Sequence, residues 1–185
     1  MFTIGHSTHS IERFIALLDA FSITCVCDVR STPYSRRNPQ FNRETLRDSL
    51  SKRAISYVFL GNELGARTED ERCYVDGKVR YALLAATPSF RAGLQIVVEK
   101  SRTFTLAMMC AEKEPLDCHR TILVARHLAD MGMEIEHILA TGESERHEDT
   151  VSRLVEMVGL NRNDMFLSDE GLVDEAYRLR EEAIA

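Results

Sequence analysis

The stretch Phe104–Gly132, FTLAMMCAEKEPLDCHRTILVARHLADMG, decides the fold class. Its first six residues, Phe104 to Met109, make a short, mostly apolar run, the pattern of a strand buried on both faces. A polar loop begins at Cys110. Asp117 is then placed to cap a helix that runs to Met131 and stops at Gly132. A buried strand followed by a short loop and a helix is one half of a βαβ crossover, so the segment predicts a parallel sheet.

The same alternation extends in both directions. Phe2-Thr3-Ile4 reads as a first strand ending at Gly5-His6-Ser7. Ser10 can cap a helix that carries Ile11, Phe14, Ile15, Leu18 and Phe21 on one face. Ile23 to Val29 is a second strand, broken by Pro33. Asn42 is an N-cap candidate, with Phe41 and Leu46 as a hydrophobic staple over a helix that ends near Arg53. Ile55 to Leu60 forms a third strand that stops at Gly61. The least regular stretch is 62–77, where Asp76-Gly77 signals a short hairpin. Tyr81 to Ala86 reads as a helix ended by Pro88, and Ser89 as the cap of the next one, whose inner stripe is Phe90, Leu94, Val97 and Val98. Glu134 to Leu139 completes the strands, and Val151 to Val158 and Leu172 to Ala183 are two terminal helices. The expected fold is a three-layer α/β/α, Rossmann-like domain over 1–185. Its mainly parallel sheet has about five short strands, and helices near 150–184 pack on it.

Composition agrees. In 185 residues, 44% hydrophobic and 28% charged side chains exclude disorder, collagen and disulfide-bonded miniproteins. No run of about 18 apolar residues occurs, and the first residues lack the basic and apolar stretches of a signal peptide, so a cytoplasmic protein is expected. Five cysteines, an odd set without a C-x-x-C pair, fit reduced thiols. The net charge of −6 hides an asymmetry: residues 30–53 hold seven basic side chains against two acids, whereas 134–185 are strongly acidic. The basic run, with Arg36, Arg37, Arg43 and Arg47, is either a solvated helix face or a local anion or nucleic-acid patch. Neither a P-loop nor a G-x-G-x-x-G fingerprint is present, so no nucleotide cofactor is predicted.

In open α/β sheets ligands bind beyond the carboxyl ends of the strands. Those ends carry Gly5-His6-Ser7, Asp28-Val29-Arg30, Leu64-Gly65-Ala66-Arg67 and Cys110-Ala111-Glu112, the last followed by Cys118-His119-Arg120. These elements, with Pro33 and Ser35, appear in an order that resembles the Domain of Unknown Function 488 family across almost the whole chain. One departure is Ala66, where the family often has a second glycine. The resemblance implies a fold and no established reaction.

Three readings of the loop 110–120 stay open. In the first, Cys118 lies in a helix's first turn, whose dipole, with His119 or Arg120, lowers its pKa and makes a partly exposed nucleophile; Cys110 is the other candidate. The phosphatase and rhodanese spacing, Cys-x5-Arg, is not met, and both thiols are equally well read as small buried hydrophobes. In the second, Cys110, Cys118, His119 and His6 offer metal ligands. Adjacent Cys118 and His119 cannot both point one way from a helix, so no metal is predicted. In the third, Glu112, Asp28 or His6 is a general acid or base, while Arg30, Arg67 and Arg120 hold an anion with backbone donors at the helix starts near Ser7 and Cys118, and Gly5 and His119 complete the ligand-binding set. For Asp28 and Arg30 a structural salt bridge is the competing explanation. Tyr34, Phe41 and Tyr57 could stack a base or fill the core. His127, His137 and His147 receive no role. The expectation is an enzyme-like pocket for a small anionic ligand or nucleotide, acting as a hydrolase or transferase. The alternative is a non-catalytic nucleic-acid-binding or adaptor module built on the basic 30–53 segment.

Overall fold

The computed structural model describes residues 1–160 and 168–185. Among the described residues, six strands form the central sheet: β1 (Phe2–Gly5), β2 (Cys25–Asp28), β3 (Ser56–Phe59), β6 (Leu106–Cys110), β7 (Glu136–Ile138) and β8 (Ser144–Arg146). Their order is β3-β2-β6-β1-β7-β8, parallel throughout except for β8 against β7. A separate antiparallel hairpin, β4 (Tyr74–Val75) and β5 (Lys78–Val79), turns at Asp76-Gly77 as the dipeptide predicts. The helices are α1 (Ile11–Ala20), α2 (Arg43–Ser51), α3 (Gly61–Leu64), α4 (Tyr81–Ala85), α5 (Pro88–Ser101), α6 (Arg126–Asp130), α7 (His147–Met157) and α8 (Asp169–Ile184).

The period of two along each strand divides the core between the faces of the sheet. Leu106, Met108 and Cys110 of β6 join one apolar cluster, whereas Ala107 and Met109 join the other. Phe14, Leu17 and Leu18 of α1 and Leu46 and Leu50 of α2 cover the second face. The first is covered by Phe90, Leu94 and Val97 of α5, by the helix after Arg120, and by Leu154, Leu172 and Tyr177 of the terminal pair. The result is the expected three-layer α/β arrangement. Among the described residues, no helix is long and apolar enough to cross a membrane.

Several local expectations are corrected. The sheet has six strands rather than about five, because Ser144-Glu145-Arg146 pairs at the edge through backbone hydrogen bonds without any apolar alternation to announce it. Pro88 opens α5 instead of ending α4, since a first-turn residue needs no amide hydrogen; the cap is Thr87, whose hydroxyl accepts the Phe90 N–H at 3.2 Å, not Ser89. Asn42 precedes α2, but its Oδ1 accepts the Ser35 N–H at 2.7 Å and ties down the loop before the helix. Asp117 caps no helix. It ends a 3₁₀ turn (Pro115–Asp117) and pairs on the surface with Arg180 of α8. Cys118 is extended (φ −136°, ψ 137°) and helical geometry begins at His119. The first turns, Arg120–Ala125, are π-helical before α6 continues them, a widening often found at functional sites.

Candidate functional site

Because β2, β6 and β1 are neighbours, their carboxyl ends meet at one edge. Backbone bonds carry the ladder past the strands: His6 N–H to Cys110 O and Ser7 N–H to Ala111 O, each 2.9 Å, and Val29 N–H to Met109 O, 3.1 Å. Gly5 is required by close approach. A Cβ there would lie 1.8 Å from the Glu112 carbonyl oxygen, so any side chain would push the loop away. Arg120, fully buried, holds that loop from the other side, donating to Glu112 O at 2.8 Å and to Lys113 O at 3.4 Å. From outside, Arg153 of α7 bonds Glu114 and Arg180 of α8 bonds Leu116 O.

The loop so held brings four ligating side chains together. Cys110 and Cys118 each donate to Glu112 Oε2 at 2.9 Å. His119 Nδ1 lies 3.6 Å from Cys110 Sγ and 3.9 Å from Cys118 Sγ, and the ligand atoms of all four residues lie within 4.8 Å of one another. Cys118 acts in the manner of a cap, its sulfur accepting the Arg120 N–H at 3.4 Å and its carbonyl the Ile122 N–H at 3.1 Å. Cys118 and His119 therefore turn to one site, contrary to the expectation for two neighbours on a helix, because only His119 of the two is helical. Both thiols are buried, 2% and 1% exposed, so the partly exposed thiol expected of this loop is absent.

Titration in the cluster is shared. Burial opposes charge on Cys118, but the Cys110 thiol, Arg120 and His119 together pull it well below the ordinary thiol value. Burial and the adjacent Cys118 push Cys110 up. Burial and the Cys118 charge raise Glu112, and His119 is raised by Cys118 against its own burial.

Cys110, Glu112 and His119 form the floor of a cleft of about 250 Å³, also lined by Arg30, Ser31, Thr32, Arg67 and Tyr81. Cys118 stands behind them. Arg67 is exposed, and among the described residues its guanidinium has no hydrogen-bond or ion-pair partner; its backbone N–H bonds Ser31 Oγ at 3.0 Å. Arg67, Ser31 and Thr32 also border an adjoining recess of about 560 Å³ with Gly61 and Asn62. A Cβ on Gly65 would lie 2.3 Å from Ser31 Oγ, which explains the glycine where the two walls touch.

Asp28 and His6 sit behind this cleft rather than in its lining. Asp28 takes Arg30 Nε at 2.9 Å, Arg30 Nη2 at 2.6 Å and the Tyr57 hydroxyl at 2.7 Å. His6 donates Nδ1–H to Ser7 O at 2.8 Å, and its Nε2 accepts from Arg30 Nη1 at 3.1 Å. Burial, with the Arg30 charge, lowers the His6 pKa to about 4, which keeps it a neutral acceptor. The pair thus orients Arg30. Phe41 is buried and stacks on His6 at 4.2 Å, so Phe41 and Tyr57 are packing residues; Tyr34 is exposed and bonds Glu44. In the basic segment, Arg43 lies 4.4 Å over the Phe59 ring and Arg47 pairs with Asp48, whereas Arg36 and Arg37 are exposed without side-chain partners among the described residues.

Sequence reasoning missed Ser31, Thr32 and Tyr81, which only the folded walls bring to the cleft. It also missed a buried chain at the other side of β1: Thr3 Oγ1 to His137 at 2.7 Å, His137 to His147 at 3.0 Å, and His147 to the Tyr177 hydroxyl at 3.2 Å. Its one sequence signal was Thr3, a polar residue inside a buried strand.

A family model described as "Domain of unknown function DUF488" matches residues 10–127, a span that includes the whole Cys110–Arg120 loop; the chain belongs to that family. No curated protein and no solved structure matches the chain.

Proposed function

We propose that this DUF488 domain is an enzyme of hydrolase or transferase type that binds a small anionic substrate in the cleft beyond β2, β6 and β1. The observation that carries this reading is that two unlike sets of groups line one cleft. Arg67, whose guanidinium has no partner among the described residues, lines the same 250 Å³ space with Arg30, Ser31 and Thr32 as do Cys110, Glu112 and His119. A guanidinium and hydroxyls suit a phosphate or carboxylate, and the second set suits proton transfer or attack on what is held there. Glu112 is the group we assign to proton transfer, since it faces the cleft. Arg120 and Gly5 shape the loop, and Asp28 and His6 hold Arg30.

The test is a panel of inorganic phosphate, pyrophosphate and nucleoside mono- and diphosphates, read by thermal shift and by product analysis after incubation. Wild type is expected to be stabilised by at least one member and to convert one. Arg67→Ala should weaken that binding about tenfold or more, the loss of one charge-assisted contact. Glu112→Gln should keep binding and lose turnover. No shift with any anion, or shifts unaltered in Arg67→Ala, would contradict the reading.

A non-catalytic adaptor is the second reading, and one observation favours it: Arg36 and Arg37 are exposed and have no side-chain partner among the described residues. Arg43 and Arg47, already engaged with Phe59 and Asp48, do not add to it.

A further inference from the structure

We propose that Cys110, Glu112, Cys118 and His119 form a site for one thiophilic divalent cation of the zinc type. Cys110, Cys118 and His119 are its buried ligands, and Glu112 is the ligand that faces the cleft. The proposal stands on ligand geometry and is independent of which anion the cleft takes; Glu112, the one exposed ligand of the four, acts in proton transfer only when it is off the cation, while the three buried ligands keep hold of it.

Four observations support it. First, a tetrahedral site with bonds of ~2.3 Å to sulfur and ~2.0 Å to nitrogen puts neighbouring sulfur and nitrogen atoms about 3.5 Å apart. The two here are 3.6 and 3.9 Å. Second, the donor set of two sulfurs, one imidazole and one carboxylate suits zinc, and is too soft for magnesium or calcium. Third, His119 Nε2 lies 3.0 Å from the Val29 carbonyl oxygen. A carbonyl only accepts, so Nε2 carries a proton, and in the neutral ring the Nδ1 lone pair faces the sulfurs; this outer hydrogen bond is the usual orienting partner of a metal-bound histidine. Fourth, Arg120 is wholly buried, has no carboxylate partner among the described residues and leaves its Nε unbonded. Two thiolates and a carboxylate around a divalent cation leave one excess negative charge, which this guanidinium offsets.

Other cysteines do not share these features. Cys25 and Cys27 lie in β2, in the core, and Cys73 is buried near the hairpin. They serve as internal controls.

The experiment uses the whole chain, purified, stripped with chelator under reducing conditions and titrated with Zn²⁺ against a chromogenic chelator, then with Co²⁺ as a spectroscopic probe. Wild type and Cys73→Ser are expected to bind one equivalent. The cobalt form should show sulfur-to-metal charge transfer and the intense red-region bands of tetrahedral cobalt. Cys110→Ser, Cys118→Ser and His119→Ala should each lose more than about 100-fold in affinity, beyond the effect of altering an outer-sphere partner alone. Far-ultraviolet circular dichroism separates loss of the site from loss of the fold. If a variant unfolds, protection of the thiols from alkylation by Zn²⁺ in wild type supplies the same answer, read by mass mapping of Cys110 and Cys118. The proposal is overturned if wild type binds no stoichiometric Zn²⁺, if the cobalt form lacks sulfur charge transfer, or if a folded Cys110→Ser/Cys118→Ser double variant binds as wild type. Loss of anion binding with intact Zn²⁺ binding would count against the substrate reading alone.

Discussion

His119 and Val29 are joined across two elements: the imidazole at the start of the π-helical turn donates Nε2–H to the carbonyl oxygen at the end of β2, 3.0 Å away. One bond fixes the ring's tautomer, the position of the helix start and the depth of the cleft floor. His119→Ala leaves the Val29 carbonyl buried without that donor, which costs about 1–3 kcal/mol. Equilibrium denaturation of the chelator-stripped protein should show the unfolding free energy fall by that amount, with a lower midpoint. An unchanged midpoint would mean that the bond contributes nothing to the fold.

Gly5→Ala tests how tightly the loop is seated. The new methyl would meet the Glu112 carbonyl at a distance no packing tolerates, so Glu112 and Arg120 must move together. A loss of about 1–3 kcal/mol is expected, typical of overpacking, together with loss of the cleft's anion binding. A variant with wild-type stability and binding would show that the loop is free to shift.

The buried histidines set an acid limit. His6 and His147 are each lowered by burial from 6.5 to about 4. His137 is likewise held well below its ordinary value, by burial and by His147 beside it. Between these values the unfolded chain binds protons that the folded chain refuses, so stability rises with pH across that window. It is complete above the unfolded value of 6.5 and is lost as pH falls toward about 4. His6 and His147 each contribute up to about 3 kcal/mol. Denaturation midpoints measured down this range should fall in wild type and fall less in His147→Asn. Equal slopes in both proteins would remove His147 from the account.

Arg36 and Arg37 separate enzyme from adaptor. Short single-stranded oligonucleotides are expected to bind weakly, and that binding should disappear at moderate salt as counterion release predicts. Arg36→Ala/Arg37→Ala should weaken it further while leaving phosphate-panel binding unchanged. If the double variant loses the small anion as well, the cleft and the basic loop are one site.

The layers and strand ends were legible because they follow from local patterns: apolar runs of strand length, caps at Ser10, and polar residues closing every run. That is why Gly5, Asp28, Cys110 and Glu112 reach one edge as expected. What escaped the sequence depended on single backbone angles and long-range partners. Cys118 is extended rather than helical, at the end of a 3₁₀ turn whose Asp117 pairs with Arg180, and that one residue lets Cys118 and His119 share a site. β8 has no apolar signature, since an edge strand needs only backbone bonds. Sequence alone makes Arg120 an anion holder, whereas its donors face two loop carbonyls. The work of His6 depends on Arg30, 24 residues away in sequence.

The most direct measurement of the central claim, a small-anion site between Arg67 and the Cys110–Glu112–His119 floor, is amide chemical-shift mapping. The labelled protein is titrated with inorganic phosphate and with a nucleoside monophosphate. Saturable shifts are expected on Ser31, Thr32, Arg67, Glu112 and His119, and should be absent from the Arg67→Ala protein. Shifts confined to the opposite cavity around Met1, Glu136 and His147, or no saturable shift at all, would contradict it.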